Sequence, residues 1–368
     1  MTTQLNNKRL SVLWVALALV GCGGQVLVVT TPPDKNGPPP TVGSGGPPAA
    51  TSPTPMPMPI PMPIAPTTDG RFQAAGRTTT IAFSPDGRIL ATGTDTPPLN
   101  VHLWRVNDGG LVRDIAASSG EVHAVAFSPN GQTLAVVGEG ALNDGPVAKL
   151  FDVASGTLLR AFPVTCGFYA DAVSFSSDGT LLATAGYKDA VEIWRASDAS
   201  LVVRLPYATS VHNVHFSPSG SQLITGGVDR RATIWNVPGG TATMTLAGIA
   251  DEMADAAFSL DGQQIISTSS EGNAIKLWDA RSGALLQTLS AHAAYVSHVV
   301  WIDADHFVSN DWVGMVHLWA RGAAGAFSLS RSWSTGGQSL GIAVSPDKTE
   351  LAAAGTTAAG DGFFVLPL

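Results

Sequence analysis

The sequence predicts an all-β fold made of repeated sheets of short strands. The 368 residues include 40 glycines and 25 prolines, too many for a helical bundle, and no long stretch follows the helical period. A motif of the form Phe-Ser-x-x-Gly also occurs five times, with lead phenylalanines 44, 48, 41 and 42 residues apart. Repetition at this period is typical of an array of one supersecondary unit.

Each copy contains four segments that have the pattern of short strands. The first alternates and ends in the lead phenylalanine, as in EVHAVAFS at 121–128. In the turn that follows, Pro, Asp and Gly supply a preset φ, a carboxylate that caps its own turn and a positive φ. A second strand, such as LLATAG at 181–186, precedes a third strand that ends in an aromatic residue. Six third strands show this ending, at Trp104, Phe151, Trp194, Trp235, Trp278 and Trp319.

Two weaker copies, VWIDADHF at 300–307 and AVSPDKTEL at 343–351, raise the number of copies to seven. Short strands at this spacing predict the blades of a β-propeller. The segment at 276–292 resembles the WD-repeat family, with Trp278-Asp279 in place and Ala291-His292 standing for its Gly-His. The resemblance implies a seven-bladed WD-repeat-like propeller of bacterial type over residues 70–368.

The two ends of the repeat region predict how the ring closes. The last copy ends with FFVLPL at 363–368 and lacks a fourth strand, whereas GRFQAAG at 70–76 stands just before the first copy. We therefore expect residues 70–76 to complete blade seven as its fourth strand and to protect its edge.

The first 21 residues have the layout of a secretion signal. Lys8 and Arg9 precede an apolar run at 11–20, which as a helix rises about 15 Å and is too short to span a bilayer. Leu19-Val20-Gly21-Cys22 resembles a bacterial lipobox, which implies diacylation of Cys22 and cleavage before it. The alternative is an ordinary secretion signal that contains a cysteine by chance.

Residues 22–69 are expected to form an acylated, disordered tether. Residues 25–69 hold 14 of the 25 prolines, which favour extended polyproline II segments over helix or sheet. Gly23, rather than Asp, follows the cysteine, and this resembles lipoproteins sent to the outer membrane. If Cys22 carries lipid, Cys166 has no intramolecular partner, and we expect a buried free thiol. The tether could also be a ligand for a proline-recognition domain.

The chain departs from the WD-repeat family in the polar network that braces each blade. Nine residues before the lead aromatic, only His292 keeps the family's histidine. Six residues before the third-strand tryptophan, Asp229 keeps the aspartate, whereas Lys188 and Val313 replace it. We therefore expect apolar packing to hold most blades together.

One series of positions predicts which side chains lie at the central channel. Four residues before each lead aromatic stand Thr79, His123, Asp171, His212, Ala254, Ser297 and Leu340. His123, Asp171 and His212 occupy adjacent blades, and two imidazoles with one carboxylate could bind a divalent metal. The alternative is a wet polar channel wall whose neighbouring positions are too far apart to share an ion. We predict no metal.

A second set of residues indicates a binding face. Loops that join fourth to first and second to third strands share one face of a propeller, and they are rich in aromatic and basic residues here. Such residues are enriched at binding hot spots, although scattered exposed aromatics are also common. The candidates are Phe168, Tyr169, Tyr187, Lys188, Arg230, Arg231, Tyr295 and Trp312.

These observations predict a non-enzymatic scaffold. The net charge of −8 and the absence of a Lys/Arg block argue against a nucleic-acid partner, and no local catalytic or cofactor motif is present. We expect a monomeric propeller, anchored to the outer membrane through Cys22, that binds an envelope protein or multiprotein complex. The alternatives are a propeller enzyme with a site at the channel mouth, either a lactonase-like hydrolase or a quinone-dependent dehydrogenase, and a glycan-binding module.

Overall fold

A computed structural model describes most of the repeat region. Cys22, the tether, Cys166, Phe168 and Lys188 lie outside the described residues. The described ranges are 71–73, 76–98, 100–140, 147–164, 169–187, 190–207, 209–249, 252–269, 273–357 and 360–368.

Seven four-stranded antiparallel sheets make up this part of the chain, so the predicted all-β seven-bladed propeller is confirmed. The described residues contain no helix, and hence none that is long and apolar enough to cross a membrane. In chain order the strands are β1 (Arg71–Gln73); β2 (Thr78–Phe83), β3 (Ile89–Thr94), β4 (Val101–Arg105) and β5 (Leu111–Ile115) in blade one; β6 (Val122–Phe127), β7 (Thr133–Gly138), β8 (Ala148–Asp152) and β9 (Leu158–Phe162) in blade two; β10 (Ala170–Phe175), β11 (Leu181–Gly186), β12 (Ala190–Arg195) and β13 (Leu201–Pro206) in blade three; β14 (Val211–Phe216), β15 (Gln222–Gly227), β16 (Ala232–Asn236) and β17 (Thr241–Leu246) in blade four; β18 (Met253–Phe258), β19 (Gln264–Ser269), β20 (Ile275–Asp279) and β21 (Leu285–Leu289) in blade five; β22 (Val296–Trp301), β23 (His306–Asp311), β24 (Met315–Arg321) and β25 (Phe327–Ser334) in blade six; and β26 (Ser339–Val344), β27 (Glu350–Thr357) and β28 (Gly360–Pro367) in blade seven.

The ring closes as the sequence predicts. Strand β1 pairs with β28, with Phe72 opposite Phe363, and becomes the fourth strand of blade seven. The Phe363 ring then packs against Trp104 of blade one at a centroid distance of 5.4 Å. The N-terminal strand therefore covers the edge of blade seven while the apolar side of that blade packs on blade one.

The turn after each innermost strand has the predicted chemistry. In blade one the Ser84 hydroxyl donates to Asp86 Oδ1 at 2.6 Å, and Asp86 accepts the backbone N–H of Arg88. These hydrogen bonds, the one from Ser84 first, lower the pKa of Asp86. Gly87 then takes a φ of 70°, which favours glycine. In blade seven Lys348 occupies the corresponding position at φ 64°.

Apolar clusters join each blade to the next. One such cluster contains Val101 and Leu103 of blade one together with Val122 and Val136 of blade two. The same arrangement recurs around the ring, including between blades seven and one. The core of the protein is therefore a series of interfaces between sheets, and the innermost strands are left to line a central channel.

Hydrogen bonds within the blades accompany the apolar packing between them. In five blades the third-strand tryptophan donates its indole N–H to a buried hydroxyl on the second strand. The pairs are Trp104–Thr92, Trp194–Thr184, Trp235–Thr225, Trp278–Ser267 and Trp319–Ser309, at 2.8–3.0 Å.

Blade six carries the full polar network, with an aspartate that the sequence count missed. His292 contacts Asp311 Oδ2 through Nδ1 at 2.9 Å and the Ser309 hydroxyl through Nε2 at 2.6 Å. Asp311 therefore supplies the carboxylate from eight residues before Trp319, whereas Val313 occupies the family position six residues before it. In blade four Tyr207 takes the place of the histidine and bonds to Thr225.

Candidate functional site: the channel mouth

The seven positions singled out in the sequence meet at one opening. Thr79, His123, Asp171, His212, Ala254, Ser297 and Leu340 all line a cavity of about 290 Å³. Each comes from the start of an innermost strand or from the residue beside it, so this cavity is the mouth of the central channel. The prediction that these side chains lie at the channel is confirmed.

Asp171 joins three blades at the mouth. His123 Nδ1 lies 2.8 Å from Asp171 Oδ1, and His212 Nδ1 lies 3.2 Å from Oδ2. The three predicted side chains are therefore in direct contact with one another through Asp171. The innermost strands of neighbouring blades lie side by side around the channel, so one carboxylate on the middle blade reaches both imidazoles.

These contacts change the titration of all three groups. Burial lowers the pKa of both His123 and His212, but the hydrogen bond and charge of Asp171 outweigh it and raise each pKa above its ordinary value. Burial raises the pKa of Asp171, and the two imidazoles outweigh it and lower that pKa. The two imidazoles therefore keep the Asp171 carboxylate ionised.

A second, deeper cluster of the same kind was missed in the sequence. Buried Asp255 accepts hydrogen bonds from the Asn213 amide at 3.0 Å and from the Val299 backbone N–H at 3.1 Å, and His215 Nε2 lies 3.2 Å away. Asn213, Asp255 and His298 stand three residues before the lead aromatic in blades four, five and six. Counting one residue nearer the aromatic would have found them.

The mouth carries further charged groups. Arg77 contacts Glu121 at 3.3 Å and Asp95 at 3.4 Å, so its guanidinium is already paired. Glu139 Oε1 lies 3.9 Å from His123 Nε2, beyond hydrogen-bond distance. Within the described residues, no group of three His, Cys, Asp or Glu side chains is arranged to hold a metal ion.

Two aromatic pairs flank the mouth. Tyr295 and Trp312 both line the cavity, with ring centroids 6.4 Å apart, and the Trp312 backbone N–H donates to the Tyr295 carbonyl. On blade three, Tyr169 packs against Tyr187 at 5.2 Å and edge-on against His123 at 5.4 Å. Burial raises the pKa of Tyr169 and of Tyr295 to about 12. Four of the predicted face residues therefore form two pairs beside one cavity.

The remaining predicted face residues do not join this group. Arg230 and Arg231 are exposed on the turn between the second and third strands of blade four, where the Arg231 backbone N–H donates to Asp229. Neither lines the mouth cavity. Lys188 and Phe168 lie outside the described residues.

Larger cavities lie on the face opposite the channel mouth, where the turns of neighbouring blades leave gaps. One of these, about 730 Å³, is formed by turn residues of blades two and three, and similar spaces occur between blades four and five and between blades seven and one. They are repeated gaps between neighbouring turns. The mouth, by contrast, combines titratable groups from several blades with paired aromatic rings.

Comparisons with known proteins give two family matches. Residues 70–96 match the family described as "WD domain, G-beta repeat", and residues 99–245 match "Eukaryotic translation initiation factor eIF2A". The first match begins with β1 and continues through β2 and β3, so it includes the closing strand of blade seven and the first two strands of blade one.

Several curated proteins are similar to the repeat region. The mouse "Telomerase protein component 1" is 24% identical over 289 residues, which are 74% of this chain and 10% of that protein. "Pre-mRNA-processing factor 19 homolog 2" of Arabidopsis thaliana is 30% identical, covering 44% of this chain and 30% of that protein. The "COMPASS component SWD3" of Saccharomyces cerevisiae is 24% identical, covering 45% and 50%. The chain thus spans half or less of the length of each. Together with the seven four-stranded blades, these matches support a WD-repeat β-propeller.

Proposed function

We propose that this chain is a non-enzymatic scaffold whose propeller presents the channel-mouth face to a protein partner. The observation that carries the proposal is the placement of two aromatic pairs, Tyr169–Tyr187 and Tyr295–Trp312, beside the mouth cavity. Trp312 is 42% exposed although it is a large apolar side chain. Aromatic residues of this kind dominate the free energy of many protein interfaces.

The names of the similar proteins are in keeping with this proposal. "Telomerase protein component 1" and "COMPASS component SWD3" are both named as components of something larger. A closed ring also suits such a role, because it leaves few sheet edges while its loops vary.

The proposal extends to where the protein acts, and here its support is the sequence alone. The leader at 1–21, the lipobox cysteine Cys22 and the proline-rich segment at 22–69 favour a lipid-anchored propeller held away from the bacterial outer membrane. Metabolic labelling with an alkyne palmitate analogue tests this step. We expect label on the full chain and none on Cys22→Ser, and an unlabelled wild-type chain would contradict the anchor.

The proposed function is tested by cross-linking the tagged full chain in cells and identifying its partners by mass spectrometry. The variant carries Tyr187→Ala and Trp312→Ala. Its matched control carries Leu158→Ala and Leu285→Ala, which remove exposed apolar side chains from outer strands. We expect a reproducible partner that the control retains and the mouth variant loses. Equal capture by both variants would contradict the mouth face as the binding surface.

A further inference from the structure

The first step concerns the tautomer of the two mouth histidines. Asp171 is ionised and can only accept hydrogen bonds, so the Nδ1 atoms of His123 and His212 must be the donors. When such an imidazole is neutral, its Nε2 atom carries a lone pair and acts as an acceptor. The carboxylate therefore fixes both rings so that each turns an acceptor away from Asp171.

The second step concerns the polar atoms of the cavity lining that remain available to a ligand. Both rings line the mouth cavity, and His212 keeps 35% of its side chain exposed. His298 lines the same cavity, and its buried Nδ1 atom has no hydrogen-bond partner among the described residues.

The third step concerns charge. Glu121 and Asp171 line the cavity, Glu139 lies beside His123, and the charge of Glu252 acts on both His212 and Tyr295. Arg77 also lines the cavity, but it is paired with two carboxylates. A cavity rich in acceptors and negative charge, with Tyr295 and Trp312 in its lining, favours a cation that donates hydrogen bonds.

We infer that the channel mouth binds a protonated primary amine, held by the Nε2 atoms of His123 and His212, and releases it when these imidazoles are protonated. The inference rests on the proposed function for one source of the amine, a lysine side chain of the protein partner. The other source is a free alkylamine. A cavity of about 290 Å³ is large enough for the end of an alkylammonium chain.

Protonation of the two imidazoles releases the amine because it removes the Nε2 acceptors. A protonated imidazole donates from both nitrogens, so each Nε2 would then present an N–H and a positive charge to the ammonium group. The charges that act on the two rings are those of Glu121, Glu139, Asp171 and Glu252, and Tyr169 packs edge-on against His123. An alkylamine keeps its charge between about pH 5 and pH 8, so any pH effect reports on the protein.

The experiment titrates n-pentylamine, and separately 1-pentanol, into the purified full chain by calorimetry at about pH 8 and about pH 5. We expect the amine to bind at the higher pH, the alcohol to bind at least about tenfold more weakly, and acid to weaken the amine at least about tenfold. Equal binding of amine and alcohol, undetectable amine binding at the higher pH, or unchanged amine affinity in acid would overturn the inference.

Two further measurements identify the source of the amine and the residues that bind it. Acetyl-Gly-Lys-Gly-amide replaces pentylamine, and tighter binding of the peptide assigns a partner's lysine, whereas tighter binding of pentylamine assigns a free amine.

Asp171→Asn should abolish amine binding, and Asp303→Asn, which removes the partner of His306 in another exposed pair, should leave it unchanged. If Asp171→Asn does not fold, Glu121→Gln serves instead, with an expected loss of about fivefold. Partner capture does not enter this test, so either proposal can fail without the other.

Discussion

Asp171 and His123 come from the innermost strands of neighbouring blades, and their side chains lie 2.8 Å apart at the mouth of the channel. The other oxygen of the same carboxylate contacts His212 of the next blade. One side chain therefore holds three blades in register at the point where the proposed binding face begins. This arrangement couples the stability of the ring to protonation at the mouth.

The first prediction concerns that coupling. Because the pKa values of His123 and His212 are raised, their stabilisation is present below the ordinary histidine pKa and is lost as pH rises through the folded-state values. The lowered pKa of Asp171 acts the other way and removes its stabilisation in acid. We expect Asp171→Asn to lower the free energy of unfolding by about 1–2 kcal/mol near pH 6 and by less near pH 8.5. Urea unfolding at both pH values measures this, and a larger loss at the higher pH would be inconsistent with it.

The second prediction concerns the deeper cluster. Buried Asp255 accepts hydrogen bonds from Asn213 in blade four and from the Val299 backbone in blade six. Asp255→Ala leaves the Val299 N–H buried without an acceptor and leaves the Asn213 amide only the Ala256 carbonyl, so we expect a loss of about 3–5 kcal/mol. Thermal unfolding followed by circular dichroism provides the measurement. The control Asp305→Ala changes an exposed carboxylate and should have an effect within about 0.5 kcal/mol. Equal effects of the two substitutions would refute the role of Asp255.

The third prediction concerns the polar network of blade six. His292 is buried between Asp311 and Ser309, and burial lowers its pKa despite the nearby Asp311. His292→Ala should destabilise the protein by about 3 kcal/mol, since it leaves a cavity and unpaired buried groups. His306→Ala, at a half-exposed histidine, is the matched control.

The lowered pKa of His292 also predicts that its contribution to stability depends on pH. A neutral buried imidazole binds fewer protons than in the unfolded chain, so its contribution to stability is lost as pH falls below the ordinary histidine value of about 6.5. The difference in unfolding free energy between the wild-type chain and His292→Ala should therefore shrink between about pH 7 and pH 5. A difference that stays constant over this range would contradict a neutral His292.

The fourth prediction concerns ring closure. Strand β1 contributes three paired positions to β28, and Phe363 packs on Trp104 behind it. A chain that begins at residue 77 should expose the edge of β28 and form dimers or aggregates, because an uncovered edge pairs with other strands. A chain that begins at residue 70 keeps β1 and is the control. Size-exclusion chromatography and thermal unfolding compare them, and a monomeric, equally stable shorter chain would refute the closure.

Most of the fold could be predicted from the sequence because the information is local and repeated. Five lead phenylalanines with their glycine turns and six third-strand aromatics mark strand ends, and the regular spacing of these copies locates the two weaker ones. Counting from these anchors also found all seven mouth positions.

The polar contacts were harder to predict because they depend on geometry between blades and on which residue of a turn reaches the histidine. In blade six the carboxylate comes from Asp311, two residues before the family position at Val313. Tyr207 takes the place of a histidine, which no motif count would accept as equivalent. The bridge from Asp171 to two blades depends on how closely the strand starts converge, and spacing along the chain does not report that distance.

The central claim is that the mouth face is the partner surface, and the affinity of a purified partner tests it most directly. The dissociation constant of the cross-linked partner should be measured for the wild-type chain, for Tyr187→Ala with Trp312→Ala, and for Leu158→Ala with Leu285→Ala. The account predicts a loss of about 30-fold or more for the mouth variant and a change below about twofold for the control. An unchanged affinity in the mouth variant would contradict it.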